Sequence, residues 1–189
     1  MQIGLLIIGD ELLSGRRQDK HLSHCIDVLA QRELQLDWVL MARDEAALLQ
    51  DELRWVRHRG DLCFSFGGIG ATPDDITRQC VAAAWEVELY RHPDAVRDIE
   101  AQFGDSAYPQ RIHMGDLPKG SVISPNPVNR VPGFSMEHLH CLPGFPEMAW
   151  PMLEWVLDNL YPDLASNKEV EYALVLENAY ESELIELME

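Results

Sequence analysis

Basic residues are scarce in this chain: 15 lysines and arginines stand against 32 aspartates and glutamates, a formal charge of −17 over 189 residues. Such a field repels nucleic acid and anionic membrane, so binding by general attraction to a polyanion is excluded. A phosphorylated ligand must then be caught by local amides, a cation or a few arginines, which points to a small molecule. Cysteine is equally sparse, and Cys25, Cys63, Cys80 and Cys141 have no paired spacing. Buried reduced thiols are expected rather than disulfides or zinc. No apolar run is long enough to cross a bilayer, and the N-terminal one ends at Gly9-Asp10-Glu11, too short for a secretory signal. The expected location is the cytoplasm. Also missing are the G-x-x-x-x-G-K-[ST] loop, the G-x-G-x-x-G fingerprint and the G-x-S-x-G elbow, which removes three common phosphate-binding and hydrolase assignments.

What the chain has is an alternation of strand and helix. Ile3–Ile8 reads as a buried strand, and Leu22, Cys25, Ile26 and Leu29 make one apolar helical face. A second strand is expected over 34–41, a second helix around Leu49, Leu53 and Val56, a third strand at Leu62–Phe66 and a third helix over 76–84. Val96, Ile99 and Phe103 mark a further helix. Residues 108–134 are rich in Pro and Gly and read as mainly loop. A last strand at Leu139–Leu142 leads into a helix over 147–159. This order predicts an α/β domain with parallel strands joined by crossover helices, closing at about residue 165. Residues 166–189 carry a run of glutamates, yet Val170, Tyr172, Leu174 and Leu176 alternate and 184–188 is helical in pattern. A small C-terminal α+β appendage is expected there, docked on the main domain or on a second subunit.

The most informative stretch is Gly67-Gly68-Ile69-Gly70-Ala71-Thr72-Pro73-Asp74-Asp75-Ile76-Thr77, which joins a buried strand to a helix through glycines. In an open α/β sheet ligands collect where strands end and the next helix begins, and glycine lets backbone approach a phosphate. Asp74, Asp75 and Thr77 suit the helix cap. Asp10-Glu11 follows strand one, Asp44-Glu45 strand two and Asp75 strand three, so carboxylates recur along one edge of the sheet. A single one is explained by capping, but three favour a cation site, because Mg²⁺ accepts one or two carboxylates with water and substrate phosphate. Asp10, Asp44 and Asp75 are therefore the expected metal ligands and catalytic carboxylates. Asn126-Pro127-Val128-Asn129, Pro132-Gly133-Phe134 and Pro143-Gly144-Phe145-Pro146 add amides, carbonyls and an aromatic face to the same rim, provided the last strand is parallel. Arg16 and Arg17 are weaker candidates for contact with an anion. His138 and His140 share a strand face and His21 and His24 a helix face, each pair without a third ligand at metal spacing.

Gly9-Asp10-Glu11-Leu12-Leu13-Ser14-Gly15 followed by the glycine turn resembles the molybdopterin-binding (MoaB/Mog) domain superfamily, and Leu117-Pro118-Lys119-Gly120-Ser121, Asn126-Pro127, Pro132-Gly133-Phe134 and Leu142-Pro143-Gly144-Phe145-Pro146-Glu147-Met148 resemble its CinA-like branch. The resemblance covers residue 1 to about 160. It implies a three-layer α/β/α sandwich with a mostly parallel sheet, a homo-oligomer (dimer or trimer), and a site at the carboxyl ends of the strands. It implies that Gly67, Gly68, Gly70, Thr72, Asp74, Asp75 and Thr77 hold a pterin phosphate or adenine nucleotide. Ser14, Gly15 and Asn126 join them, Asp10 and Asp44 lie on the same rim, and Pro143 and Gly144 close the pocket. Mog-type members use such aspartates for Mg²⁺-dependent adenylyl transfer to molybdopterin, while CinA-like members are associated with cleavage of pyrophosphate bonds such as that of ADP-ribose. A noncatalytic binding module is the third function the resemblance allows. The sequence departs from the family at Ala71, where proline is usual, and at His21, where an asparagine is expected. The deamidase domain that ends full-length CinA proteins has no counterpart in these residues, so deamidation of nicotinamide mononucleotide is not expected of them.

Overall fold

A computed structural model describes residues 1–164; the expected appendage over 166–189 lies outside the described residues. Strand β1 (Ile3–Ile8) is buried along its whole length because helices cover both of its faces. On one face Ile3, Leu5 and Ile7 join Phe64 and Phe66 of β3 (Leu62–Phe66). There they meet Val28 and Leu29 of α2 (His21–Gln31) and Met152, Leu153 and Val156 of α6 (Pro146–Leu160). On the other face Leu6 and Ile8 meet Leu49, Leu53 and Val56 of α3 (Ala46–Arg59) and Val81 and Ala84 of α4 (Thr77–Trp85). The strict alternation of a β-strand thus builds two cores on one sheet, the expected three layers.

The sheet has six strands in the order β2-β1-β3-β8-β7-β6. β2 (Trp38–Ala42), β1, β3 and β8 (Leu139–Leu142) are mutually parallel. β7 (Gly133–Met136) runs antiparallel to both β8 and β6 (Val122–Ser124). β1 leads to α2 on one face, β3 to α4 on the opposite face, and β8 to α6 back on the first. Loops leaving neighbouring parallel strands for opposite faces open a crevice at the strands' carboxyl ends, which is where an α/β sheet takes its ligand. Beside that crevice sits a smaller lobe: α5 (Pro93–Phe103), two 3₁₀ turns at Gly104–Ala107 and Arg111–Gly115, and an antiparallel pair, β4 (Leu89–Arg91) with β5 (Asp116–Pro118). Ile99, Ala107, Ile112 and Met114 give it a core of its own.

Several expectations change. The second strand begins at Trp38 rather than residue 34, and Leu34 and Leu36 pack on the core from the preceding loop. Ile26 is exposed, so the buried face of α2 turns through Cys25, Val28 and Leu29. The 108–134 stretch holds β5, β6 and the start of β7. Those strands are three or four residues long, too short to show a period.

A buried polar chain pins the antiparallel extension to the end of α6. His140 shares a hydrogen bond of 2.7 Å between Nδ1 and Ser135 Oγ, and another of 3.0 Å between Nε2 and Tyr161 Oη; His138 reaches the same hydroxyl at 3.5 Å. Burial pushes the His140 imidazole down to about 4, from an unfolded value of 6.5. The unfolded chain therefore binds a proton that the fold refuses as pH drops from 6.5 toward 4, and stability is lost across that window. Urea denaturation is expected to show about 2 kcal/mol less stability from this group at pH 5 than at pH 7.5, and His140→Gln should remove that share of the pH dependence.

Candidate functional site

The first and second glycines of the turn have φ of +105° at Gly67 and +69° at Gly68, a left-handed backbone that other residues adopt only at a cost. A Cβ at Gly67 would meet the Ile8 carbonyl, and one at Gly68 the Thr77 hydroxyl. Thr77 is fully buried beneath the turn, where its Oγ1 donates to Gly67 O at 3.0 Å and its amide to Gly68 O at 3.0 Å. Asp75 folds back over the far end, its carboxylate accepting the Thr72 amide at 2.8 Å and the Thr72 hydroxyl at 2.5 Å. With both ends fixed, the amides of Gly68, Ile69, Gly70 and Ala71 make no hydrogen bond among the described residues. Buried Arg78 donates to the Ile69 carbonyl from behind the turn. Successive free amides in such a turn form a concave anion receptor.

Residues Gly68 to Ala71 line a cavity of about 690 Å³ bounded by the loops after β1, β3 and β8 and by the small lobe. Gly67, Gly68, Gly70, Thr72, Asp74, Asp75, Asp44, Asn126, Pro143 and Gly144 all line it, as the sequence suggests. Pro143-Gly144 follows β8 and stands close against the glycine corner, where a Cβ on Gly144 would come 3.3 Å from Gly67 Cα. His21 Nε2 (3.2 Å) and Arg17 Nη2 (3.4 Å) both donate to the Gly144 carbonyl, and the His21 ring stacks on Phe66 at 4.3 Å. Burial keeps His21 neutral by lowering its pKa.

The carboxylates divide. Asp44 is half-buried in the cavity wall, with Oδ2 accepting the Asp10 amide at 3.1 Å. Burial raises its pKa, and the charges of Asp10, Glu11 and Asp74 add to the rise. Asp10 itself turns away from the cavity to pair with Arg43 at 3.1 Å. Among the described residues no three acidic, histidine or cysteine groups converge as a metal cage. Other candidates also fall outside. Ser14 and Gly15 end α1 (Asp10–Leu13) away from the cavity, with Ser14 Oγ accepting from Arg16. Thr77 supports the turn from below instead of facing it. No side chain caps α4, so Asp74 and Asp75 do not serve the helix start as expected. Asn126 lines the cavity, but its amide is engaged within its own loop, donating to Asn129 Oδ1 and Val131 O and accepting from Val128 N. Phe134 is buried in the core, leaving Phe145 as the aromatic face at the rim.

A family model described as "Probable molybdopterin binding domain" matches residues 4–164. The chain belongs to that family. Its curated relatives place it in the CinA-like branch. A CinA-like protein of Anaeromyxobacter dehalogenans is 32% identical over 168 residues, which covers 85% of this chain and 41% of the relative. One from Citrifermentans bemidjiense is 31% identical over 199 residues, 100% of this chain and 47% of the relative. The chain thus spans less than half the length of these relatives. The crystal structure of CinA from Thermoplasma acidophilum superposes with a TM-score of 0.77 at 24% identity, covering 85% of this chain and 99% of that one. MoaB from Thermus thermophilus, titled a molybdopterin biosynthesis enzyme, gives 0.54 at 22% identity, with 88% and 97% covered. Both share the fold.

Of the two departures from the family pattern, His21 has a clear place: it anchors the Gly144 carbonyl. Ala71 lies exposed at the cavity edge among the free amides. Sequence reasoning missed Phe103 and Arg111 as site residues: the small lobe brings Phe103 into the wall from the end of α5 and Arg111 from a stretch without periodicity.

Gly68→Ala is expected to lower stability by about 1–2 kcal/mol through its left-handed backbone alone, and by more if Thr77 must shift. Urea denaturation beside Gly60→Ala, also left-handed but with open space around the new Cβ, separates the two effects.

Proposed function

We propose that the protein binds a phosphorylated adenine nucleotide or pterin in this cavity and, with a divalent cation such as Mg²⁺, cleaves the phosphoanhydride of an ADP-ribose-type ligand. The observation that carries the reading is the run of four free amides, Gly68 to Ala71, beside Asp44 and Asp75 in one cavity. Amides alone would bind phosphate. Carboxylates beside them repel it, and their presence supports a cation between the two. The donor set fits Mg²⁺ delivered with its substrate: two wall carboxylates, with phosphate and water completing the shell, in place of a closed protein cage. Burial and three neighbouring carboxylates already disfavour the charge on Asp44, and a bound cation relieves that. When bound, the cation neutralises the diphosphate and lowers the pKa of its water.

The chain's own residues hold and orient. The glycine-turn amides receive phosphate oxygens as preorganised donors. Thr72 orients Asp75 through two hydrogen bonds. His21 and Arg17 keep the Pro143-Gly144 loop against the turn, which narrows the cavity around the anhydride. Identity of 31–32% to CinA-like relatives, against 22% to MoaB, favours anhydride cleavage over adenylyl transfer to molybdopterin.

Chromatography after incubation with ADP-ribose and Mg²⁺ or Co²⁺ is expected to show AMP and ribose 5-phosphate. Asp44→Asn should reduce the rate by more than about 100-fold, beyond the loss typical of a residue that only supports a ligand. Undiminished AMP in that variant would remove Asp44 from the site. Absence of AMP with either metal would pass the reading to ATP-dependent adenylylation of molybdopterin, or to binding without turnover. Since Asp44 must be ionised to receive the cation and its pKa is raised in the free protein, kcat/KM should decline on acidification at a pH above the ordinary aspartate range.

A further inference from the structure

Arg111 is held in the cavity wall by two contacts. Its guanidinium carbon lies 4.8 Å from the Phe103 ring centroid, and Nη1 donates to Ser106 O at 2.9 Å. It makes no ion pair among the described residues, although the chain has 32 acidic side chains. Arg17, the other arginine in the wall, is engaged with Glu11 and the Gly144 carbonyl. Phe103, which Arg111 overlies, packs with Met114 and Val131 in the small lobe's core, and all three line the cavity. Phosphate would use the charge of Arg111 but none of these apolar neighbours. A flat ring with an apolar face and polar edges fits them, because a guanidinium stacks on aromatic planes and donates within its own plane. The cavity, at about 690 Å³, is of a size that takes a whole nucleotide-sized ligand rather than a diphosphate alone.

We infer that Arg111, laid over Phe103, stacks on the adenine ring of the ligand, so that the small lobe reads the base while the glycine turn reads the phosphates. This rests on the phosphate site proposed above and names a specificity-determining residue within it. The contact explains why α5 and the following turns carry a core of their own: they hold Phe103 and Arg111 in register with a sheet to which they do not belong.

Isothermal titration calorimetry with ADP and with inorganic pyrophosphate, each in Mg²⁺, tests it. Arg111→Ala is expected to weaken ADP about tenfold or more and to leave pyrophosphate within about twofold, the latter also showing that the variant is folded. Arg111→Lys keeps the charge and loses the plane, so it should weaken ADP as the alanine does. Parallel weakening of both ligands, full ADP affinity in Arg111→Lys, or no change in Arg111→Ala would each overturn the inference and leave the phosphate site standing. Wild-type protein that binds pyrophosphate no more weakly than ADP would overturn it too. Wild-type protein that binds neither would overturn the phosphate site itself, and this inference with it.

Discussion

The buried hydroxyl of Thr77 donates to the carbonyl of Gly67, and its amide to the carbonyl of Gly68. That pair of bonds locks the end of β3 to the start of α4, and the rest of the site follows from it. A turn held there must use left-handed backbone at both glycines, since any Cβ would strike the Ile8 carbonyl or the threonine that holds it. Turned that way, the amides of Gly68 to Ala71 find no acceptor among the described residues. The first amide of α4 is consumed by the turn, so the amides proposed to receive phosphate belong to the turn itself. Asp75, which a sequence reader would assign to the helix cap, closes the far end through Thr72 instead.

The electrostatics of the cavity make sense only locally. A chain of formal charge −17 attracts no anion at long range, and within a Debye length of the rim Asp44, Glu11 and Asp74 make matters worse. Against this stand four amide dipoles, Arg17 and Lys20 in the wall. Under the function proposed above, such an arrangement would favour a ligand that brings its own positive charge, as a magnesium-bound diphosphate does and free phosphate does not.

The fold was largely legible because its framework strands are fully buried and read as apolar runs: Ile3–Ile8, Leu62–Phe66 and Leu139–Leu142 have the ends the sequence suggests. Glycines 67, 68 and 70 were legible for a related reason, as no other residue type suits a strand-to-helix corner of that shape. Elsewhere local pattern carried too little. β4 and β5 have three residues each, and Leu34 and Leu36 are apolar without being strand. The site was harder, because a carboxylate's position on a rim does not fix where its oxygens point. Asp10 and Asp44 follow adjacent strands, yet one turns to Arg43 and the other into the cavity. Asn126 reads as a ligand contact, but its side chain is taken up by its own loop. Arg111 gave no signal at all, since it reaches the cavity only through the packing of α5 and the turns after it.

His21, where the resemblance leads one to expect asparagine, has a defined structural role in this chain. The Gly144 carbonyl needs a donor, and burial makes the imidazole neutral, so the proton must sit on Nε2. Nδ1 is then left as a buried lone pair without a partner among the described residues. An asparagine has a donor and an acceptor on one short arm, and could not reach as far or stack on Phe66. The histidine gains the stacking at 4.3 Å and fixes the loop through a flat, rigid ring, at the cost of a polar group turned into a space too enclosed for solvent. The ring thus anchors Pro143-Gly144 against the glycine corner and holds β8's loop close to β3's at the cavity wall.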